Sequence, residues 1–194
     1  QPDILHCHDW QTGMIPVLHR IQYDYLPFYS NMHSIMTIHN LQYQGVFDRH
    51  AVQDCLGLGD EHFTSDKLEF YGAANFLKSG LVYCDWITTV SPTYAEEITS
   101  SYYGERLDGL LRARHGQLSG VLNGIDMNEY NPAKDPHIAA HYSAARPSGK
   151  NACKVALQRE LGLHEDLAVP VIGMVTRLSG QKGPDLVDCV ISEI

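Results

Sequence analysis

The sequence has little that would signal a metal centre, a disulfide framework or a membrane span. Its five cysteines, at positions 7, 55, 84, 153 and 189, are odd in number and form no C-x-x-C pair. This spacing fits neither the common zinc sites nor paired disulfides, and it is typical of free thiols in a reducing compartment. No apolar run approaches the roughly 20 residues that a membrane-spanning helix needs. We therefore expect no metal and no membrane partner, with Cys7 and Cys84 buried in the apolar runs that contain them.

Positive charge is also scarce. Lysine and arginine together number 14 against 23 aspartates and glutamates, which gives a net charge of −9 at pH 7. Such an acidic chain is poorly suited to unaided binding of nucleic acid or of an anionic membrane. The 194 residues are otherwise ordinary for a globular protein, with 44% hydrophobic residues. That is enough for one core, or for one domain and part of another.

Short apolar runs alternate along the chain with segments of helical periodicity. The runs predict strands at Pro2–His8, Ser34–His39, Trp86–Val90, Leu118–Leu122 and Val169–Val175. Helices are predicted at Gly13–Tyr23, at Leu68–Val82, from Pro92 towards Ser100, at residues 152–162 and from Gly183 onwards. This alternation predicts an α/β fold with a parallel sheet that helices cover on both faces. A long polar segment follows Leu122, so we expect the strand at Leu118 to begin a second sheet.

Hydrogen-bonding side chains follow every predicted strand. They are His8-Asp9, His39-Asn40, Ser91, Asn123-Gly124 and Arg177. Ligands of open parallel α/β sheets bind outside the carboxyl ends of the strands. The pattern therefore predicts a single ligand crevice at these ends.

Three of these positions also have structural interpretations. His39 is consistent with a hydrogen-bonded core histidine, and Asp9 with the N-cap of a helix that begins near Trp10. Asn123-Gly124 is a common turn pair. For Asp9, capping and ligand contact stay equally open at this point.

The segment Arg177-Leu-Ser-Gly-Gln-Lys-Gly183 places two cations and two glycines between a predicted strand and a predicted helix. Glycine lets a ligand approach the backbone, while Arg177 and Lys182 can form charge-assisted hydrogen bonds to phosphate. The spacing is not that of a Walker A loop. A diphosphate-binding loop is the favoured interpretation, and a solvated loop is the alternative.

Other chemistries have weaker support. His6-x-His8 is similar to the first ligand pair of a metal-dependent hydrolase, but the remaining ligands of such a site cannot be identified in the sequence. The G-x-S-x-G and G-x-G-x-x-G motifs are both absent from the sequence.

Five motifs in order along nearly the whole chain resemble the glycogen synthase and starch synthase family. They are His8-Asp-Trp-Gln-Thr-Gly13, Thr37-Ile-His-Asn-Leu-Gln-Tyr-Gln-Gly45, Thr89-Val-Ser-Pro-Thr-Tyr-Ala-Glu-Glu-Ile98, Gly120-Val-Leu-Asn-Gly-Ile-Asp126 and Arg177-Leu-Ser-Gly-Gln-Lys-Gly183. The resemblance implies two Rossmann-like domains facing a cleft (the GT-B fold). It also implies transfer of glucose from ADP-glucose to the non-reducing end of an α-1,4-glucan, with retention of configuration and with no metal or other cofactor.

The resemblance also implies a role for individual residues. His39, Arg177 and Lys182 would be catalytic: His39 would contact the transferred glucose, and the two cations would bind the diphosphate. Asp9, Asn40, Asn123 and Gly183 would bind substrate. The expected partners are ADP-glucose and an α-1,4-glucan such as glycogen or starch. The compartment would be the bacterial cytoplasm, or the plastid if the source is a plant.

Two of the family's motifs, an N-terminal Lys-Thr-Gly-Gly loop and a C-terminal motif containing a glutamate, are not found in the sequence. We therefore expect residues 1–117 to be the latter part of the first domain and residues 118–194 to be the start of the second, both incomplete, with no activity in this piece alone. A non-catalytic glycan-binding or scaffold piece, and another nucleotide-sugar glycosyltransferase, are the alternatives.

Overall fold

The structure is a computed structural model that describes residues 2–193. The chain divides into two compact units, Gln1–Gly124 and Ile125–Ile194, called here the first and second unit. Across the described residues, no helix combines the length and the apolar character that crossing a membrane would require.

The first unit contains seven strands and five α-helices among its described residues. The strands are β1 (Ile4–His8), β2 (His33–Ile38), β3 (Val46–Phe47), β4 (Glu69–Phe70), β5 (Ala73–Asn75), β6 (Trp86–Thr89) and β7 (Leu118–Gly120). The helices are α1 (Met14–Leu18), α2 (Arg49–Leu56), α3 (Phe76–Tyr83), α4 (Pro92–Glu97) and α5 (Asp108–Ala113). A π-helical turn, His19–Tyr23, extends α1, so the predicted helix at Gly13–Tyr23 is confirmed in two pieces.

The main sheet has the strand order β1-β2-β6-β7, and all its strands are parallel. Four of the predicted strands are thus confirmed, and their carboxyl ends lie along one edge. The expectation that the strand at Leu118 begins a second sheet is wrong, because Leu118 pairs with Ile87 of β6 and packs against the same core. The second unit accordingly starts at Ile125.

The hydrophobic core of the first unit lies against one face of the main sheet. Cys7, Met36 and Ile87 are neighbours across three strands and pack against Leu77 and Leu81 of α3. Burying apolar side chains such as these stabilises the fold by about 25 cal/mol per Å² of apolar surface removed from water.

The opposite face of the main sheet is open. It carries His6 and the exposed Trp86, both level with Ile35 of β2. The expected coverage of both faces by helices is therefore wrong for the described residues.

The predicted helix at Leu68–Val82 is shorter in the structure. Residues 69–75 form the β4–β5 hairpin, which adds to β3 in a small antiparallel sheet. Tyr71 and Gly72 form its turn with φ of 50° and 86°, outside the helical range. The Asn75 side chain then accepts a hydrogen bond from the Lys78 amide, so the helix can begin only at Phe76.

Two glycines bring the first α-helix against the third. A Cβ on Gly13 would lie 2.1 Å from the carbonyl oxygen of Phe76, and one on Gly80 would lie 2.9 Å from the carbonyl oxygen of Gly13. Only glycine permits this approach. The contact holds the segment after β1 against α3 and so helps to position Asp9.

The second unit contains α6 (Gly149–Glu160), a 3₁₀ turn at Gly180–Lys182 and α7 (Pro184–Val190). Both predicted helices are therefore confirmed. The strand predicted at Val169–Val175 is not formed: these residues have no regular secondary structure, and Ile172 and Val175 are exposed. A parallel strand needs hydrogen-bonded neighbours, and no described residue of the second unit supplies one.

Candidate functional site

The loop after β1 and the loop after β2 meet at the carboxyl edge of the main sheet. Asp9 Oδ1 accepts hydrogen bonds from the backbone amides of His39 (2.8 Å) and Asn40 (3.4 Å). The Asp9 amide in turn donates to the Thr37 carbonyl oxygen at 3.0 Å. Three of the predicted site residues are therefore joined, with the Asp9 carboxylate fixing the backbone that carries the other two.

Asp9 adopts an unusual backbone conformation for a residue with a side chain, with φ 54° and ψ −172°. Such a conformation costs on the order of 1–3 kcal/mol, and residues of this kind concentrate at functional sites. The Asp9 side chain does not cap the 3₁₀ turn Trp10–Thr12. The capping interpretation of Asp9 is thus wrong, and the carboxylate instead points to the loop after β2.

His39 is exposed and its ring contacts another histidine. His8 Nδ1 lies 3.0 Å from His39 Nε2, a hydrogen bond in which either nitrogen can donate. Its exposure rules out the core interpretation of His39. Partial desolvation, together with the nearby His6 and His39, lowers the pKa of His8. His8 is therefore biased towards the neutral form.

Asn40 continues the same loop. Its Oδ1 accepts a hydrogen bond from the Gln42 amide at 3.0 Å, which leaves the Asn40 Nδ2 amide as the donor for a ligand. The Leu41 amide donates to the hydroxyl of Tyr94 at 3.3 Å. Tyr94 thereby ties the loop to α4, whose N-cap is Ser91.

Gln44 fastens the end of that loop. Its Nε2 donates to the carbonyl oxygens of Leu41 (3.2 Å) and Glu105 (2.9 Å), and its Oε1 accepts from Asn75 Nδ2. Sequence reasoning missed both Tyr94 and Gln44, although each lies inside a quoted motif. Polarity alone does not distinguish such internal anchors from residues that face a ligand.

The glycine that ends the second motif, Gly45, lies where a larger residue would not fit. Its φ is 62°, and a Cβ there would lie 2.4 Å from the Trp10 ring. Trp10 in turn packs on Phe47, with ring centroids 5.7 Å apart. The Trp10 indole of the first motif thus packs closely against Gly45 of the second motif.

Asn123 follows β7 at the same carboxyl edge and is exposed. The turn expected at Asn123-Gly124 is not formed, because residues 121–126 have no regular structure. Among the described residues, Asn123 does not take part in the hydrogen bonds to Asp9.

Arg177, Lys182 and Gly183 belong to the second unit. The Ser179 amide donates to the Arg177 carbonyl oxygen at 2.9 Å, and the Lys182 amide donates to the Ser179 carbonyl oxygen at 2.8 Å. Gly183 has φ 67°, which favours glycine. Both cationic side chains are exposed, and neither forms an ion pair within residues 2–193.

A cavity of the first unit lies away from these residues. It has a volume of about 550 Å³ and lies beside α3, where Lys78, Glu69 and Arg106 contribute to its lining. The Lys78 ammonium donates to the carbonyl oxygens of Ser65 (2.6 Å) and Glu69, and desolvation lowers its pKa. These bonds give Lys78 a structural role. The carboxyl edge of the main sheet is therefore a better candidate for the functional site than this cavity.

No cluster of histidine, cysteine, aspartate or glutamate in the described part of the chain could hold a metal ion. His6 and His8 therefore lack, among the described residues, the further ligands that a metal-dependent hydrolase would need. His6 Nε2 instead lies 2.7 Å from Thr37 Oγ1.

Comparison with known proteins identifies the family to which the chain is similar. The chain is 56% identical over 194 residues to the glycogen synthase of Geobacillus stearothermophilus and 54% identical over 197 aligned residues to that of Lachnospira eligens, covering 100% of this chain in each case. It spans only about 40% of the length of these relatives. Among solved structures, the catalytic domain of starch synthase IV from Arabidopsis thaliana, bound to ADP and acarbose, matches 100% of this chain and 40% of its own, with a TM-score of 0.87 and 33% identity. The family model described as the starch synthase catalytic domain matches residues 1–113, and the chain belongs to the glycogen synthase and starch synthase family.

Proposed function

We propose that this chain is part of a glycosyltransferase that moves glucose from ADP-glucose to the non-reducing end of an α-1,4-glucan, with retention of configuration. The observation that carries the proposal is the Asp9 carboxylate fixing the backbone of His39 and Asn40 at the carboxyl edge of a parallel sheet. Family membership supports glucosyl transfer as the reaction, and the carboxyl edge offers hydrogen-bonding groups suited to a sugar.

In this proposal the first unit holds the transferred glucose. Asp9 Oδ1 is used by the two backbone amides, which leaves Oδ2 to accept from a sugar hydroxyl. The His39 ring and the Asn40 amide meet other hydroxyls, and Asn123 approaches the sugar from the end of β7. None of these groups serves as a covalent nucleophile.

The second unit would bind the diphosphate. Arg177 and Lys182 are exposed cations on a loop whose Gly183 permits close approach of a ligand to the backbone. Cations placed where the departing phosphate gains negative charge stabilise the transition state. The structural neighbour was solved with ADP and acarbose, a nucleotide and an oligosaccharide, which supports a donor and an acceptor of these classes.

We further propose the GT-B arrangement for the longer protein. The first unit would be the latter part of the N-terminal domain, and the second unit would be the beginning of the C-terminal domain. The 194-residue chain alone is expected to transfer no glucose, because the Lys-Thr-Gly-Gly and glutamate motifs are not in its sequence and catalysis by positioning requires all the groups together.

A hybrid enzyme provides the test. This chain replaces the matching 194 residues of the Geobacillus stearothermophilus glycogen synthase, with which it is 56% identical. We expect the hybrid enzyme to transfer label from ADP-[14C]glucose to glycogen, and β-amylase to release that label because the new linkages are α-1,4. UDP-glucose serves as the comparison donor.

The contradicting outcome is a hybrid enzyme that matches the parent in circular dichroism and ADP affinity but incorporates no label. Faster transfer from UDP-glucose than from ADP-glucose would overturn the choice of donor. The isolated chain is the matched control, and incorporation at the rate of the hybrid enzyme would refute its expected inactivity.

A further inference from the structure

His8 and His39 form a pair at the carboxyl edge that the proposed sugar contacts do not require. His8 Nδ1 lies 3.0 Å from His39 Nε2, and the ring centroids are 5.2 Å apart. The contact engages one specific nitrogen of each ring, so it restricts both the rotation and the tautomer of His39.

The His8 side of the pair is itself held in place. The His8 amide donates to Thr12 Oγ1 at 2.6 Å, and the Thr12 hydroxyl donates back to the His8 carbonyl oxygen at 2.8 Å. This reciprocal contact fixes the backbone of His8 just before the strained Asp9.

The His8 ring rests on a second histidine anchored to the sheet. The centroids of His6 and His8 are 4.3 Å apart. His6 Nε2 lies 2.7 Å from Thr37 Oγ1, which lies 2.6 Å from Thr88 Oγ1. A line of contacts thus runs from β6 through β2 and β1 to the ring of His8.

The charges around the pair favour a neutral His8. The titratable groups that face it are His6, His39 and Asp9, and the two imidazoles together with partial desolvation lower the pKa of His8 despite the Asp9 carboxylate. A neutral imidazole can donate or accept one hydrogen bond at Nδ1 but cannot do both. His39 Nε2 must then take the complementary role, so the tautomer of His39 is coupled to that of His8 and only two combinations are possible.

We propose that His8 is a positioning residue that fixes the ring orientation and tautomer of His39, leaving His39 Nδ1 as the ring nitrogen available to the sugar. This inference rests on the proposed function for its catalytic consequence, but the geometry of the pair does not depend on that function. In the sequence, His8 was a strand-end hydrogen-bonding group and a possible metal ligand, and the described residues supply no further ligands for a metal.

The direct test is ¹⁵N NMR of the imidazole nitrogens in the 194-residue chain at pH 7.5 or above. We expect His39 to show one tautomer, with one nitrogen protonated and the other not. In His8→Leu, which keeps the size but removes the hydrogen bond, the two His39 nitrogens should shift towards averaged values. His8→Asn should retain a single tautomer, because its amide can donate or accept near the position of Nδ1. The exposed His50 of α2 is the internal control.

The kinetic test uses the hybrid enzyme. His8→Leu should lower kcat by about 10- to 100-fold, the size of effect expected from a misplaced reacting contact, without changing the inhibition constant for ADP. His8→Asn should recover most of kcat.

Two NMR outcomes would overturn the positioning role of His8. They are averaged His39 nitrogens in the unsubstituted chain and a single tautomer that persists in His8→Leu. An inactive hybrid enzyme with the expected NMR result would instead count against the proposed function alone.

Discussion

The two units contain similar apolar segments but differ in what those segments become. In the first unit the apolar run at residues 34–38 forms β2, between β1 and β6, and Met36 and Ile38 are fully buried. In the second unit the run at 169–175 forms no strand, and Ile172 and Val175 are 76% and 105% exposed. An apolar run alone is therefore not enough to form a strand. Neighbouring elements must also provide backbone hydrogen bonds and bury the apolar side chains.

The largest expected contrast is in amide hydrogen exchange. The amides of Met36 and Ile38 should exchange more slowly than those of Ile172 and Val175 by a factor on the order of 10³ or more. The first two can exchange only when the core unfolds, whereas the other two are not held in a strand. Exchange read residue by residue by NMR measures this ratio. Equal protection of the two segments would show that residues 169–175 are hydrogen-bonded in solution and would remove the contrast.

The units should also differ in the step of the reaction that they serve. In the hybrid enzyme, Lys182→Gln keeps the length and polarity of the side chain but removes its charge. We expect kcat to fall by about 10²–10³, the usual cost of losing a group that stabilises transition-state charge, with weaker inhibition by ADP. Lys134→Gln, at another exposed lysine of the second unit, is the matched control. Full kcat and unchanged ADP inhibition in Lys182→Gln would support the solvated-loop interpretation.

Much of the first unit was predictable because its signals are local. Four apolar runs identified the strands of the main sheet, and the polar residues after them identified Asp9, His39 and Asn40. The hairpin at 69–75 was missed because its apolar residues happen to have helical spacing, whereas Tyr71 and Gly72 adopt a turn. Tyr94 and Gln44 were missed because their contacts with Leu41 and Glu105 span 53 and 61 residues.

In the first unit, Gly13→Ala tests the close approach of the first and third α-helices. The new Cβ would meet the Phe76 carbonyl oxygen at 2.1 Å, so the backbone must shift. We expect a loss of about 2–3 kcal/mol in the free energy of unfolding, in the range for overpacked sites. Gly116→Ala has no atom within 4 Å of the added Cβ and is the control. Equal unfolding midpoints in urea for the two variants would disprove the close contact.

A smaller effect is expected at Asp85, which joins the amino ends of β2 and β6. Its Oδ2 accepts from the Ser34 amide at 2.7 Å, and its Oδ1 accepts from the Arg20 guanidinium. Burial alone would raise the pKa of Asp85, but the bonds from Ser34 and the charge of Arg20 lower it overall. Asp85→Asn should destabilise the chain at pH 7 by about 1–2 kcal/mol, because a partner group is left unsatisfied.

The pH dependence sharpens that expectation. Because the pKa of Asp85 is lowered in the folded state, its stabilisation is complete above the unfolded pKa of about 3.9 and is lost as the pH falls through the folded value. Urea unfolding of Asp85→Asn and of the unsubstituted chain should therefore converge in strongly acidic solution. Asp54→Asn, at an exposed position of α2, is the control. A constant difference at every pH would contradict the role of the ionised carboxylate.

The proposed division of roles gives the sugar to the carboxyl edge of the first unit and the diphosphate to the second unit. It is tested most sharply by His39→Ala in the hybrid enzyme. The measurement pairs kcat for ADP-glucose with the inhibition constant for ADP, and circular dichroism confirms the fold. We expect a large fall in kcat with ADP inhibition nearly unchanged, since the proposed role of His39 is contact with the glucose alone. Undiminished kcat, or a loss of ADP affinity as large as the loss of kcat, would contradict it.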